Sequence, residues 1–393
     1  MNAMQVWERE LEEVMPRVRA WRRALHQNPE RSGQEEQTRA FLLERLKEMG
    51  IPASTFEGCN AVMGVLSNGE GPCIAIRADM DALPVQEPEG LPFASCRPGV
   101  MHACGHDVHM ALALGSAAYL SGHREKWQGT VKWLFEPAEE TFGGGQWMVK
   151  QGCMDNPAVD CVIGQHVNPR YEAGVFYARP GYVSGASDEL VLTVRGKSCH
   201  GAYPESGVDA IVIASQIVCA MQTLVSRVLS PFDPAAVTFG TIAGGTANNI
   251  VCGEVRLVGT MRTLSDATRS MLTEKMKALC GGIARGMGGD AELQVHPGYG
   301  AVYNHDRYYG VVEREAERIL GSERVIRRDN ASLGVESFCY FLDHTPGVYY
   351  DIGSGIGTAL HTPTFMIDEK VLLPGVAMQC AAVLALMKEV QAK

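Results

Sequence analysis

The sequence predicts a layered α/β domain interrupted by a smaller α+β domain, and three observations carry this. At 393 residues the chain is longer than one hydrophobic core usually organises. Up to Tyr182, apolar runs at strand spacing alternate with runs at helical spacing, the mark of an α/β layer. Beyond Tyr182 that rhythm gives way to another, and it resumes near residue 300.

Taken in order, residues 4–26 place Val6, Leu11, Val14, Val18, Trp21 and Leu25 at helical spacing. A turn-rich QNPERSG follows, then a helix over 35–49 stopped by Gly50 and Pro52. Strands are expected at 61–66 and 73–79, the second ending in Asp79-Met80-Asp81 before a Pro84 turn. A polar cluster, a helix over 107–121, a strand over 130–135, a Glu-rich turn, a helix over 144–151 and a strand over 158–165 complete the first part. In such sheets chemistry gathers where strands end at their C-termini, which is where these polar groups sit.

The insert reads as strand 189–195, helix 208–228, strands 236–242 and 254–262, helix 267–284 and strand 291–296. This βαββαβ order is that of a ferredoxin-like sandwich. The apolar run 208–225 contains Asp209 and Gln216, so it reads as a buried helix and not a membrane span. Helices over 307–320 and 334–343, a strand over 347–352, a Gly-rich loop and a closing helix over 369–390 return to the first style. The expected division is 1–184 and 299–393 for the interrupted domain, with 185–298 inserted.

A formal net charge of −10, with the acids spread out, leaves no basic face to neutralise phosphates. This argues against nucleic acid or an anionic membrane surface as the main partner. The twelve cysteines fall largely in or beside apolar runs, where Cys behaves as a small hydrophobe. With no basic-then-apolar leader in MNAMQVWERELEEV, a reducing cytoplasm is the expected setting.

The richest stretch is MHACGHDVH, 101–109, where Cys104, His106, Asp107 and His109 crowd within six residues. A thiolate beside imidazoles suits zinc or another late divalent metal, although a buried Cys and polar His at a helix start would look the same. LFEPAEE ends a strand with the adjacent acids Glu139 and Glu140, which diverge and so can serve different centres. Alone, the pair is equally an acidic helix start. His166 after VIGQ and His361 after a Gly-rich loop are each ambiguous by themselves. Asp79 and Asp81 share one side of the extended chain and could hold a ligand imidazole, or simply cap a turn.

Together, Cys104, His106, Glu140, His166 and His361 are more ligands than one catalytic zinc needs and suit a pair of metals. Glu139 is left over as a carboxylate able to move a proton. The chemistry this points to is amide hydrolysis by an activated water.

RADMDALP, MHACGHDVH, the PAEE turn, G-Q-H, GKSCHGAYP, GGTANNIV, GTMRT and the terminal LHTP occur in one order along nearly the whole chain. In this the chain resembles the dinuclear metal-dependent amidohydrolases and carboxypeptidases that include hippurate hydrolase, N-acyl-amino-acid deacylases and auxin-conjugate hydrolases. The resemblance implies a catalytic domain with an inserted lid or dimerisation domain, and a homodimer. It makes Cys104 a metal-bridging thiolate, with His106, Glu140, His166 and His361 the remaining ligands of two divalent ions (zinc, manganese, cobalt or nickel). Glu139 becomes general base and acid, and Asp81 a supporting carboxylate. His200 takes the position that stabilises the oxyanion, in related enzymes across a dimer, while Asn249 and Arg262 take substrate-binding positions. Without the resemblance, His200 reads as a surface loop residue, Asn249 as a turn residue and Arg262 as a solvated strand end.

Two departures stand out. Gln165 replaces the common leucine before the ligand His, an alteration expected at the pocket wall, and Asn248 replaces an apolar residue beside Asn249. The run GSGIGTA before His361 is compatible with a mobile loop. The implied substrates are N-acyl amino acids, with dipeptides or small peptides the alternative. A metal-dependent binding protein without chemistry is a third reading, which the intact Glu139 opposes.

Overall fold

The computed structural model describes every residue except Met1, Phe142, Ile356 and Lys393. The chain divides into two compact units. The first comprises Met1–Val183, Tyr303–Asn330 and Ser337–Lys393; the second comprises Ser184–Val302 with Ala331–Glu336.

The helical pattern over 4–26 resolves into two helices, α1 (Ala3–Glu10) and α2 (Met15–Gln27). Pro16 lies in the first turn of α2, where its missing N–H costs nothing but an uninterrupted helix could not pass. Next come α3 (Glu36–Glu48), β1 (Ala53–Thr55), β2 (Val62–Asn68), β3 (Cys73–Asp79), α4 (His106–Gly122), β4 (Gly129–Glu136), α5 (Gly145–Lys150), β5 (Cys161–Asn168), β6 (Phe176–Ala178) and β7 (Gly181–Ser184).

The second unit holds β8 (Ala186–Arg195), α6 (Ala210–Thr223), β9 (Ala235–Gly244), β10 (Glu254–Thr263), α7 (Asp266–Gly286) and β11 (Asp290–Pro297). After β12 (Val302–Asn304), the first unit continues with α8 (Asp306–Leu320), β13 (Val325–Arg327), α9 (Cys339–Leu342), β14 (Gly347–Gly353) and α10 (Leu372–Gln391).

The first unit is built on an eight-stranded mixed sheet in the order β1-β2-β4-β3-β5-β14-β6-β13. Its centre, β4-β3-β5-β14, is parallel. Every residue of β3, β4 and β14 is buried, which is why these strands read as continuous apolar runs and not as alternation. α4 and α10 pack on each other and on β3, and both are buried nearly all round, as core helices are.

The second unit is a four-stranded antiparallel sheet in the order β11-β8-β10-β9, with α6 and α7 packed on it. Numbered within the unit this is 4-1-3-2, the ferredoxin-like arrangement expected from the element order.

Two further elements differ from expectation. The helix over 334–343 contracts to α9, because 331–336 is non-helical chain belonging to the second unit. β5 begins and ends three residues later than the apolar run suggests, because its parallel pairing with β14 runs on through Asn168. His166 thus sits inside a strand. The short strands β1, β6, β12 and β13 went unpredicted; three residues carry no readable period.

Candidate metal centre

Four strand ends and one helix start converge in the first unit. β3 leads into Asp79–Asp81, β4 into the PAEE turn, β5 carries His166, and the loop after β14 carries His361. Between Cys104 and His106 the chain turns at Gly105 with φ +87°, and a Cβ there would lie 2.3 Å from Val167 Cγ2. Only glycine fits both the left-handed backbone and the close approach, so it sets how the thiol and the first imidazole face one centre.

The structure gathers Cys104, His106, Glu140, His166 and His361 into two triplets that share the sulfur. In each triplet, Cys104–His106–His166 and Cys104–Glu140–His361, the candidate ligand atoms lie within 4.8 Å of one another. Cys104 Sγ is 3.5 Å from His166 Nε2 and 3.3 Å from His361 Nε2. Glu140 Oε1 lies 3.2 Å from His361 Nε2 and 3.9 Å from His106 Nε2. Glu139 shares a further group with His106 and Glu140 and accepts a hydrogen bond from the Ser337 N–H at 3.4 Å.

Asp81 is the brace of this arrangement. Its Oδ1 lies 3.3 Å from His106 Nδ1, its two oxygens accept the backbone N–H groups of Glu139 and Glu140 at 3.2 and 3.1 Å, and Ser32 Oγ donates to it at 2.6 Å. Asp79 serves another imidazole: His109 Nδ1 donates to it at 2.6 Å, while His109 Nε2 accepts the Val167 N–H at 2.9 Å. With both nitrogens engaged, and with burial lowering its pKa to about 4, His109 is a neutral strut beside His166.

Asp107 faces away from the candidate ligands. It meets His26 Nδ1 at 2.8 Å and Arg22 Nε at 2.9 Å, and His26 Nε2 meets Glu87 at 2.9 Å. Burial pulls His26 down, but the Asp107 carboxylate outweighs it and raises the pKa.

The sequence pattern did not single out Arg77, Glu35, Ser32 or His26. Arg77 is buried and donates to Glu136 at 2.6 Å, Asp79 at 2.7 Å and Ser337 Oγ at 2.8 Å. A charged residue inside an otherwise apolar strand was the one available signal, since such a group is retained only when paired.

The donor set fits divalent cations. Both ring nitrogens of His106 and Oε1 of Glu140 are buried without a hydrogen-bond partner, a costly condition that a coordinated cation relieves. Burial pushes the Cys104 thiol well up despite the nearby His106 charge, so a thiolate there requires an additional positive charge. Burial also works to raise Glu140, but the His361 ring 3.2 Å away and the charge of His106 hold it below the usual carboxylate value.

His200, Asn249 and Arg262 lie in the second unit. His200 is exposed, and its Nδ1 accepts the Ala202 N–H at 3.0 Å. Asn249 is exposed beside it, its carbonyl accepting the Gly201 N–H at 2.7 Å. Arg262, on β10, is half-buried, and its Nη1 is buried without a hydrogen-bond partner.

Gln165 corrects an expectation. Consecutive strand residues face opposite ways, so it points away from His166 and into the packing of α10, where it donates to the Gly375 carbonyl at 3.4 Å and accepts from Gln379 Nε2 at 2.8 Å. It forms no wall of the site. Gln165→Leu is expected to cost about 1–3 kcal/mol by stranding the buried Gln379 amide, and the double change to leucine to recover most of it. Denaturant melts of the two variants check this.

Interlocked thiol, imidazole and carboxylate side chains at the strand ends of an α/β unit make the donor set of a metal-assisted hydrolase. The chain belongs to peptidase family M20/M25/M40, whose profile matches residues 75–385, and is accordingly a hydrolase of amide bonds.

Among similar proteins, N-acetyl-L-cysteine deacetylase of Bacillus subtilis is 36% identical over 90% of this chain and 84% of its own. N-acyl-L-amino acid amidohydrolase of Geobacillus stearothermophilus is 40% identical over 75% of this chain and 80% of its own. Among solved structures, Bacillus subtilis YxeP, a dinuclear metal-binding peptidase of the M20 family, superposes with a TM-score of 0.85 at 30% identity, covering 96% of this chain and 99% of its own.

Proposed function

We propose that this chain hydrolyses the amide bond of N-acyl amino acids at a pair of divalent cations. Cys104 would be shared by both, with His106 and His166 completing one set and Glu140 and His361 the other. The observation that carries this reading is the pair of donor triplets meeting at one sulfur, with Glu139 beside them. Similarity to a deacetylase and an N-acyl-amino-acid amidohydrolase supports the substrate class.

Bound there, the cations would acidify a water and polarise the amide carbonyl. Glu139 takes the proton from the attacking water and delivers it to the leaving amine nitrogen. Asp81 holds the His106 ring and the Glu139–Glu140 backbone in place. His200 would donate to the developing oxyanion, and Asn249 and Arg262 would bind the substrate's polar groups and carboxylate. The unpartnered Nη1 of Arg262 supports that last role. We place the protein as a homodimer through the second unit, where Ile211, Val212, Phe232 and Ile242 are exposed apolar side chains.

The test is a product-resolved screen. Apo protein reconstituted separately with zinc, manganese, cobalt and nickel is given acetyl- and benzoyl-amino acids and dipeptides. Amine release from the acyl amino acids, faster than from dipeptides and lost on chelation, is the expected result. Preference for dipeptides would make the protein a dipeptidase, and no release with any metal would leave a binding protein.

A further inference from the structure

The PAEE turn has an unusual backbone. Ala138 is a non-glycine residue at φ +56°, a conformation that costs an L side chain about 1–2 kcal/mol. It is also where neighbouring acids are aimed at different targets. Left unconstrained, alanine would return to negative φ and swing Glu139 and Glu140 with it, so something must hold the turn.

The holding groups are visible. The N–H groups of three successive residues are each bound by a buried carboxylate: Ala138 by Glu35 Oε1 at 2.9 Å, and Glu139 and Glu140 by Asp81 at 3.2 and 3.1 Å. Glu35 precedes α3 and is fully buried. Its Oε1 also accepts the Gly33 N–H at 2.9 Å, and its Oε2 accepts from Asn60 Nδ2 at 3.1 Å. The stretch before it is tied to the same site at two points. The Ala82 N–H donates to the Glu30 carbonyl at 2.7 Å, and Ser32 donates to Asp81. Glu35 therefore stands on a short segment anchored to Asp81 and Ala82. A carboxylate placed there can hold a strained N–H without yielding. Nothing in this arrangement brings Glu35 to the reacting atoms.

We infer that Glu35 is a positioning residue, which holds Ala138 in the left-handed turn so that Glu139 faces the attacking water while Glu140 faces the cations. The inference rests on the amide-hydrolase reading of the site. Its consequence is kinetic: loss of Glu35 misaims the proton-moving carboxylate, and a displacement of about 1 Å at such a group costs on the order of 10²-fold in rate.

The test uses the metal-loaded full chain with an N-acyl amino acid. Glu35→Ala is expected to lower kcat by roughly 10- to 100-fold, with KM within about 2-fold and the metal content unchanged. Glu35→Gln keeps an acceptor at Oε1 and should retain most of the activity. The decisive variant is Glu35→Ala combined with Ala138→Gly. Glycine takes positive φ without strain, so the turn no longer needs its clamp, and kcat should recover by at least about 5-fold over Glu35→Ala alone.

A merely structural loss at a buried carboxylate would not be rescued 103 positions away in the chain. Should Glu35→Ala fail to fold, the same comparison runs between Glu35→Asp, whose carboxylate is one methylene too short to hold the Ala138 N–H, and its Ala138→Gly double. Full kcat in Glu35→Ala, a loss confined to KM or to metal content, or absence of rescue by glycine would each overturn the inference. An inactive metal-loaded wild type would instead strike the amide-hydrolase reading itself, which separates the two failures.

Discussion

Glu139→Gln is expected to lower kcat for N-acyl amino acids by roughly 10²–10⁴-fold while bound metal stays at the wild-type level. The amide keeps the shape of the carboxylate and can still accept the Ser337 N–H, so the turn and its neighbours have no reason to move. What it cannot do is take a proton from water at neutral pH or return one to an amine. Glu139 lies in a group with His106 and Glu140, yet it belongs to neither of the sulfur-sharing sets. The measurement is steady-state kinetics paired with elemental analysis of the same sample. Near-full turnover would remove Glu139 from proton transfer. Loss of metal in step with activity would make it a ligand instead.

Cys104→Ala is expected to have the largest effect on metal binding, lowering affinity at both positions by at least about 10-fold and activity with it. The reasoning is geometric. His106 and His166 contribute to one triplet, Glu140 and His361 to the other, and the sulfur alone contributes to both. Removing any of the other four would weaken one position first, whereas removing the thiol weakens both together. Titration of the apo variant with cobalt distinguishes the cases, because a cobalt–thiolate pair has its own charge-transfer absorption. Two equivalents bound as tightly as in wild type would dismiss the bridging role.

Much of this was legible in the sequence because it is local. Alternating apolar runs define the layered unit, and the βαββαβ order defines the insert, since burial imposes its period wherever an element is long enough. The residue types that bind metal also announce themselves: a Cys, three His and paired acids at strand ends have few other reasons to recur together. What escaped was of two kinds. Three-residue strands carry no period, and helical spacing over 4–26 could not reveal the break that Pro16 imposes. The supporting residues were equally hidden, because the contacts that tie Ser32, Glu35 and Arg77 to Asp81, Ala138 and Ser337 span 49, 103 and 260 positions in sequence.

Gln165 shows the same limit from the other side: its place next to His166 in sequence suggested a shared pocket, and the alternation of the strand put them on opposite faces.

By itself, then, the chain's sequence determined which side chains are available for chemistry and the two kinds of unit that carry them. The tertiary structure decided how they are aimed. Parallel pairing of β5 with β14 sets the register that carries His166, Gly105 lets Cys104 and His106 turn toward one centre, and two buried carboxylates hold the Glu139–Glu140 turn in a conformation alanine would not choose. The physical reason is that composition and periodicity report burial, a property each residue has with respect to the whole core. Direction depends on backbone dihedrals and hydrogen bonds between segments distant in the chain, and those exist only once it has folded.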